Sequence, residues 1–170
     1  AEVGRAFAAE APELKERLYQ ITWEPVYPWG FKGTPEQLIR IYEIAWPALH
    51  AADPRAKVLG PTGAGISRND VAWNAGLLRQ GLGRWLDGLA IHPYHAVPPE
   101  REGLIDRVRE LRTVVDQLAG KPLEAYGTEQ GFPTREDPAN DLLQAQGLLR
   151  QNLIMMGEGY RLNLAFYIVD

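Results

Sequence analysis

Leu123-Glu124-Ala125-Tyr126-Gly127-Thr128-Glu129-Gln130-Gly131 is the stretch on which the architecture turns. Its first six residues read as a buried strand and its last three as the start of a loop. Upstream, Leu104, Val108, Leu111, Val115 and Leu118 recur at helical spacing and stop at Gly120. Downstream, a second helical pattern starts at Asp137-Pro138 and carries Leu142, Ala145, Leu149 and Leu153 on one stripe. Helix, strand and helix in close succession form the repeating unit of an α/β protein.

The same unit recurs outward from this stretch. Leu18–Trp23, Lys57–Leu59, Leu86–His92 and Leu164–Val169 read as four further strands, which makes five with Leu123–Thr128. Between the first two lies a helix with a capping box at Thr34 and Gln37, Pro35 in its first position, and Leu38, Ile41, Tyr42, Ala45 and Leu49 at helical spacing. It should end near Asp53-Pro54. A shorter helix is expected over Asn69–Arg79, and Ala6–Glu10 reads as the tail of another. Strand-helix alternation suits both a doubly wound sheet and a (β/α)₈ barrel, and periodicity does not choose between them. At about 31 residues per barrel unit, the 170 residues hold between five and six units, within the size of one domain spanning 1–170.

Composition narrows the function classes. With 45% hydrophobic residues the chain can bury a real core. It contains no cysteine, which removes disulfides, thiolate metal sites and a cysteine nucleophile but leaves a secreted or a cytoplasmic location equally open. The formal charge of -4 and the lack of a basic patch argue against a nucleic-acid partner. No apolar run approaches the roughly 18 residues of a membrane span.

In α/β proteins, functional groups gather where strands end. Those positions are Trp23-Glu24-Pro25, Gly60-Pro61-Thr62, His92-Pro93-Tyr94-His95 and Thr128-Glu129-Gln130-Gly131. Two of the four present a glutamate. A pair of carboxyl groups at a barrel mouth suits hydrolysis of a glycosidic bond: one, kept protonated, gives its proton to the leaving oxygen, and the other meets the charge developing at the anomeric carbon. If neither strand is irregular, Glu24 shares a face with Gln20 and Thr22, opposite Tyr19, Ile21 and Trp23, while Glu129 shares one with Ala125 and Gly127. Small or polar neighbours would then leave both carboxyl groups pointing inward.

Other residues compete for a role. His92 and His95, with Glu129 as a third ligand, could form a metal site, although the spacing lacks the helical His-Glu-x-x-His pattern; hydrogen-bonding histidines in a cleft are the favoured reading, and no metal or organic cofactor is expected. Gly60–Ser67 lacks the lysine of a phosphate loop and reads as a rim loop. Trp23, Tyr27, Trp29 and Phe31 follow one another closely around Glu24; Trp23, Tyr27 and Trp29 are candidate sugar contacts, and Phe31 is assigned to packing. Trp46, Trp73 and Trp85 read as core. Arg107, Arg109 and Arg112, with Asp106 and Glu110, read as a solvated helix face.

Taken in order, Ile21-Thr22-Trp23-Glu24-Pro25, His92-Pro93-Tyr94-His95 and Tyr126-Gly127-Thr128-Glu129-Gln130-Gly131 resemble clan A of the retaining glycoside hydrolases, with family 39 nearest. Ala52–Ala56 leading into Val58-Leu59-Gly60-Pro61 is similar to that family's approach to strand five. The resemblance implies a (β/α)₈ TIM barrel represented by strands four to eight. It makes Glu24 the acid/base, Glu129 the nucleophile, and a β-linked carbohydrate the substrate. His92 and Tyr94 match a His-x-Tyr after strand six, whose tyrosine can hydrogen-bond the nucleophile. Trp23 departs from the pattern, standing where the clan has an asparagine that contacts the sugar, and Tyr167 is the candidate to replace a tryptophan under the reacting ring. Strands one to three have no counterpart here. Association with a missing N-terminal barrel segment or with a second copy is therefore expected.

Overall fold

A computed structural model describes residues 1–94, 98–132 and 140–166. Ten principal elements follow in order: α1 (Glu2–Glu10), β1 (Arg17–Gln20), α2 (Pro35–Ala52), β2 (Ala56–Gly63), α3 (Arg68–Arg79), β3 (Gly88–Ile91), α4 (Leu104–Leu118), β4 (Glu124–Gln130), α5 (Asp141–Gly157) and β5 (Tyr160–Ala165). The five strands form one parallel sheet in the order β1-β2-β3-β4-β5. A doubly wound sheet reverses its order at a switch point, whereas a barrel adds each strand beside the last. The unreversed order makes this a half-barrel.

Right-handed crossovers place the helices on one face of such a sheet. That face holds the larger core, in which Leu104, Val108, Leu111 and Val115 of α4 are all buried at the predicted helical spacing. Each such side chain contributes about 1.5–3 kcal/mol of burial free energy. Trp46, Trp73, Trp85 and Phe31 pack against this core, as read from the sequence. The opposite face, the barrel interior, carries a small cluster of Leu59, Ala90 and Tyr126 with Leu18 and Leu162 beside it. Below it, Lys57, Glu16, Glu124 and Arg161 form an ionic layer.

The expected helix boundaries are close to those observed. Thr34 and Gln37 make the reciprocal capping bonds that start α2. Ser67 and Asp70 form a second capping box, which starts α3 at Arg68. At the end of α2, Asp53 is wholly buried and accepts hydrogen bonds from Arg17 Nε and Nη2, both at 2.7 Å, from the Tyr19 hydroxyl at 2.8 Å and from the Arg55 backbone N–H at 3.0 Å. This pair ties β1 to the α2–β2 turn. Arg17 holds the Asp53 carboxyl well below the usual carboxylate range.

Four expectations are corrected. The last strand is Tyr160–Ala165, not Leu164–Val169; it starts directly after Gly159, whose φ of 81° turns the chain out of α5. Residues 167–170, Tyr167 among them, lie outside the described residues, as do His95 and the Asp137-Pro138 helix start. β1 ends at Gln20 rather than Trp23. Gly60–Gly63 continues β2 instead of forming a rim loop, because it pairs with β3 as far as Ile91. The stripe of α5 is exposed at Leu142, Leu149 and Leu153, whereas Gly147, Gln151 and Met155 are buried. Helical spacing reveals an apolar stripe without saying what covers it.

Candidate active site

Glu24 lies just beyond β1, in a segment secured to the neighbouring strand by Thr22. The Thr22 hydroxyl donates to the Pro61 carbonyl at 3.0 Å and lies 2.7 Å from the Tyr42 hydroxyl. Glu24 itself has φ 46°, a left-handed conformation costing a residue with a side chain about 1–2 kcal/mol. A strand alternates its side chains, so neighbours cannot both face one cleft. Leaving the strand at Gln20 and turning left-handed at Glu24 removes that constraint. Trp23 and Glu24 therefore both reach the site.

Residues 24–31 brace this turn. The Tyr27 N–H donates to the Glu24 carbonyl at 3.1 Å and the Gly30 N–H to the Tyr27 carbonyl at 3.0 Å. A Cβ at Gly30 would stand 2.3 Å from the Trp23 carbonyl oxygen and 2.4 Å from that of Glu24. Gly30→Ala should therefore push the turn apart and destabilise the protein by about 1–3 kcal/mol. A urea denaturation midpoint equal to that of the wild type would contradict this packing.

Opposite, β4 delivers Glu129. Regular alternation fails here too: Ala125 belongs to the helix-side core and Tyr126 to the interior cluster, so parity with Ala125 would send Glu129 toward the helices. The β4–β5 register shifts between Gly127 and Gln130, and the Glu129 side chain meets the groups of the mouth instead. The reading that Ala125 and Gly127 share its inward face is therefore wrong, although the position expected for the carboxyl group is right.

The groups converge closely. Tyr94 donates its hydroxyl to Glu129 Oε1 at 2.5 Å, and the Trp23 indole N–H donates to Glu129 Oε2 at 2.9 Å. His92 Nδ1 lies 2.9 Å from Glu24 Oε1 and 3.8 Å from Glu129 Oε2. One carboxyl oxygen of each glutamate and a ring nitrogen of His92 all fall within 4.8 Å of one another. Glu24 and Glu129 are each 8% exposed and His92 is fully buried, so this polar cluster sits in a largely water-excluded place where electrostatic interactions are strong.

Among the described residues these three are also the group whose donor atoms could hold a metal ion. Both Glu129 oxygens already accept hydrogen bonds, which a ligating carboxylate would have to share or give up. Tyr27 and Trp29 stack on one another with centroids 4.1 Å apart and are exposed. Of the residues read as site candidates, Trp23, Glu24, His92, Tyr94 and Glu129 are thus brought together, while Tyr27 and Trp29 stack on one another in the segment that follows Glu24. Sequence reading assigned Trp23 to sugar contact and did not find its bond to Glu129, since the parity signal pointed the indole toward the helices.

No protein-family model and no curated protein sequence matches the chain. Solved structures do. A family 39 β-xylosidase from Caulobacter crescentus superposes over 97% of this chain with a TM-score of 0.71 at 19% identity. A family 39 glycoside hydrolase from Bacteroides cellulosilyticus does so over 96% with a TM-score of 0.73 at 18% identity. The chain has the fold of part of the (β/α)₈ barrel of these glycoside hydrolases. A glucosidase from Croceicoccus marinus has it as well, with a TM-score of 0.67 over 90% of the chain at 22% identity. The barrel segment spans between 32% and 37% of the length of these three proteins. Among its described residues no helix is long and apolar enough to cross a membrane.

Proposed function

We propose that the chain is the strand-four-to-eight portion of a retaining glycoside hydrolase that cleaves β-linked oligo- or polysaccharides, with Glu24 as acid/base and Glu129 as nucleophile. The observation that carries this reading is that one carboxyl oxygen of Glu24 lies within 4.8 Å of one of Glu129. Retaining enzymes hold their pair about 5–5.5 Å apart, while inverting enzymes need about 6.5–9.5 Å to admit a water. In the first step Glu24 gives its proton to the glycosidic oxygen as the C1–O bond breaks, and a Glu129 oxygen bonds to C1. In the second, water loses a proton to Glu24 and attacks C1, releasing Glu129. His92 orients Glu24 through Nδ1, and Tyr94 fixes Glu129 through Oε1.

Among the described residues the outer edges of β1 and β5 have no partner strand, which favours association with the rest of a barrel, supplied by a further segment or by a second copy. Activity is accordingly measured on the chain joined to that partner where the segment alone is silent. The first-formed sugar, followed by proton NMR, should be the β-anomer; an α-anomer appearing first would overturn the retaining assignment. Glu24→Ala should slow substrates with poor leaving groups about 10²-fold more than activated aryl glycosides. Equal losses on both would remove its acid role.

Two other readings remain distinct in their outcomes. A carbohydrate-binding module would bind sugar saturably without turnover, unchanged by Glu129→Gln. A metal-dependent hydrolase is favoured by the three clustered donors, in which Glu24 joins His92 and Glu129 while His95 lies outside the described residues. Turnover abolished by a chelator and restored by a divalent cation would establish it.

A further inference from the structure

We propose that Trp23 is a positioning residue that clamps the nucleophile, an inference that rests on the reading of Glu129 as nucleophile. Two donors hold the Glu129 carboxyl group from opposite oxygens: the Tyr94 hydroxyl at Oε1 and the Trp23 indole N–H at Oε2. A carboxyl group held at one oxygen only can still swing about its terminal torsion, which is broad. A donor on each oxygen fixes the plane of the group. That is what attack on a single carbon requires, since small misplacements of a reacting group cost large factors in rate.

The backbone supports the same conclusion. Trp23 and Glu24 are adjacent, and the left-handed φ of Glu24 is what lets one residue reach Glu129 while the next reaches His92. One strained turn thus sets both carboxyl groups at once: Glu24 directly, and Glu129 through the indole. An indole has a single donor and no acceptor, so the bond to Glu129 uses all its hydrogen-bonding capacity. Trp23 is half exposed, at 49%, and is not among the residues of the buried core, so its substitution tests positioning rather than folding.

The test uses the whole chain labelled with nitrogen-15, and Trp23→Phe, which keeps an aromatic ring and lacks the donor. Trp23→Phe assigns the Trp23 indole resonance by its loss. In the otherwise wild-type protein, Glu129→Ala should then move that resonance upfield and hasten its exchange with solvent. The Trp46 resonance, whose N–H donates to Asp87 Oδ1 at 3.0 Å, should stay in place as the internal control. A Trp23 resonance indifferent to Glu129→Ala removes the contact and overturns the proposal.

The kinetic arm uses the 2,4-dinitrophenyl 2-deoxy-2-fluoro-β-glycoside of a sugar that the wild-type protein, joined to its barrel partner, turns over. Covalent labelling should slow about tenfold or more in Trp23→Phe, the scale of one hydrogen bond to a charged group, with the denaturation midpoint unchanged. Labelling at the wild-type rate overturns the positioning role. Wild-type protein that takes no label removes the nucleophile reading, and the positioning role with it, whereas the indole resonance reports separately on the contact.

Discussion

Glu129→Gln, in the chain joined to its barrel partner, should abolish turnover of β-glycosides, with kcat/KM falling by at least about 10⁴-fold, the scale on which loss of a nucleophile is felt in enzymes that use one. The amide is nearly the same size as the carboxyl group and keeps an oxygen able to accept from Tyr94 or Trp23, so the barrel mouth should hold its shape. What it lacks is the ability to form a stable ester with C1. Glu129 is 8% exposed, and the other carboxyl group among the described residues of that cluster is Glu24, which the proposal already uses as acid/base. Loss of turnover with sugar binding preserved is the expected pattern. Residual activity within about tenfold of the wild type would assign the nucleophile elsewhere.

The second large effect lies far from the chemistry. Asp53→Ala should destabilise the protein by about 3–5 kcal/mol, because removing one member of a buried ion pair leaves the other charged and unsolvated. Arg17 is only 4% exposed, and its guanidinium would lose both bonds to the carboxyl group while Tyr19 and the Arg55 N–H lost theirs. Against a total stability of about 5–15 kcal/mol that is a large share. The same pair predicts acid sensitivity. The Asp53 carboxyl is held below its ordinary value of 3.8, chiefly by hydrogen bonds from Arg17, so the folded state favours the charged form. Its contribution is present above that value and is lost as the pH falls below it. Glu124, held at about 2 by Lys57 in the interior ionic layer, adds a loss of the same sign. The difference between wild type and Asp53→Asn isolates the Asp53 part: chemical denaturation at pH 7 and at pH 3 should show the gap between them narrowing in acid. A gap independent of pH would contradict the role given to Asp53.

Some of this was legible in the chain and some was not, for identifiable reasons. α4 announces itself because Leu104, Val108, Leu111 and Val115 repeat at one helical face, and α2 because Thr34, Pro35 and Gln37 carry the local chemistry of a helix start. Glu24, His92, Tyr94 and Glu129 could be nominated together since parallel α/β topology sends every strand end to one rim, and the structure places them there. Their roles are the proposal made above.

Features governed by distant partners were not readable. Nothing local to Asp53 tells of Arg17, 36 positions away, so a residue read as a helix end proves to be a buried charge. Alternation predicted the wrong faces for Trp23 and for Glu129's neighbours because the chain leaves the strand at Gln20 and slips register after Gly127. Leu142, Leu149 and Leu153 look like a core stripe by spacing, yet the face of α5 turned inward carries Gly147, Gln151 and Met155, with the Gln151 amide donating to the Pro93 carbonyl at 2.6 Å. Period identifies an element; only the neighbouring element decides which side of it is inside.

The most direct test of the account is to trap the sugar on the protein and locate it. Incubation with the 2,4-dinitrophenyl 2-deoxy-2-fluoro-β-glycoside of a sugar that the protein turns over should break the C1–O bond to the aryl group, release dinitrophenolate and leave C1 esterified to a carboxyl oxygen, with the second step slowed by the fluorine. Peptide mass mapping should place that ester on Glu129. An ester on any other residue, or no ester in a protein that still turns over β-glycosides, would contradict it.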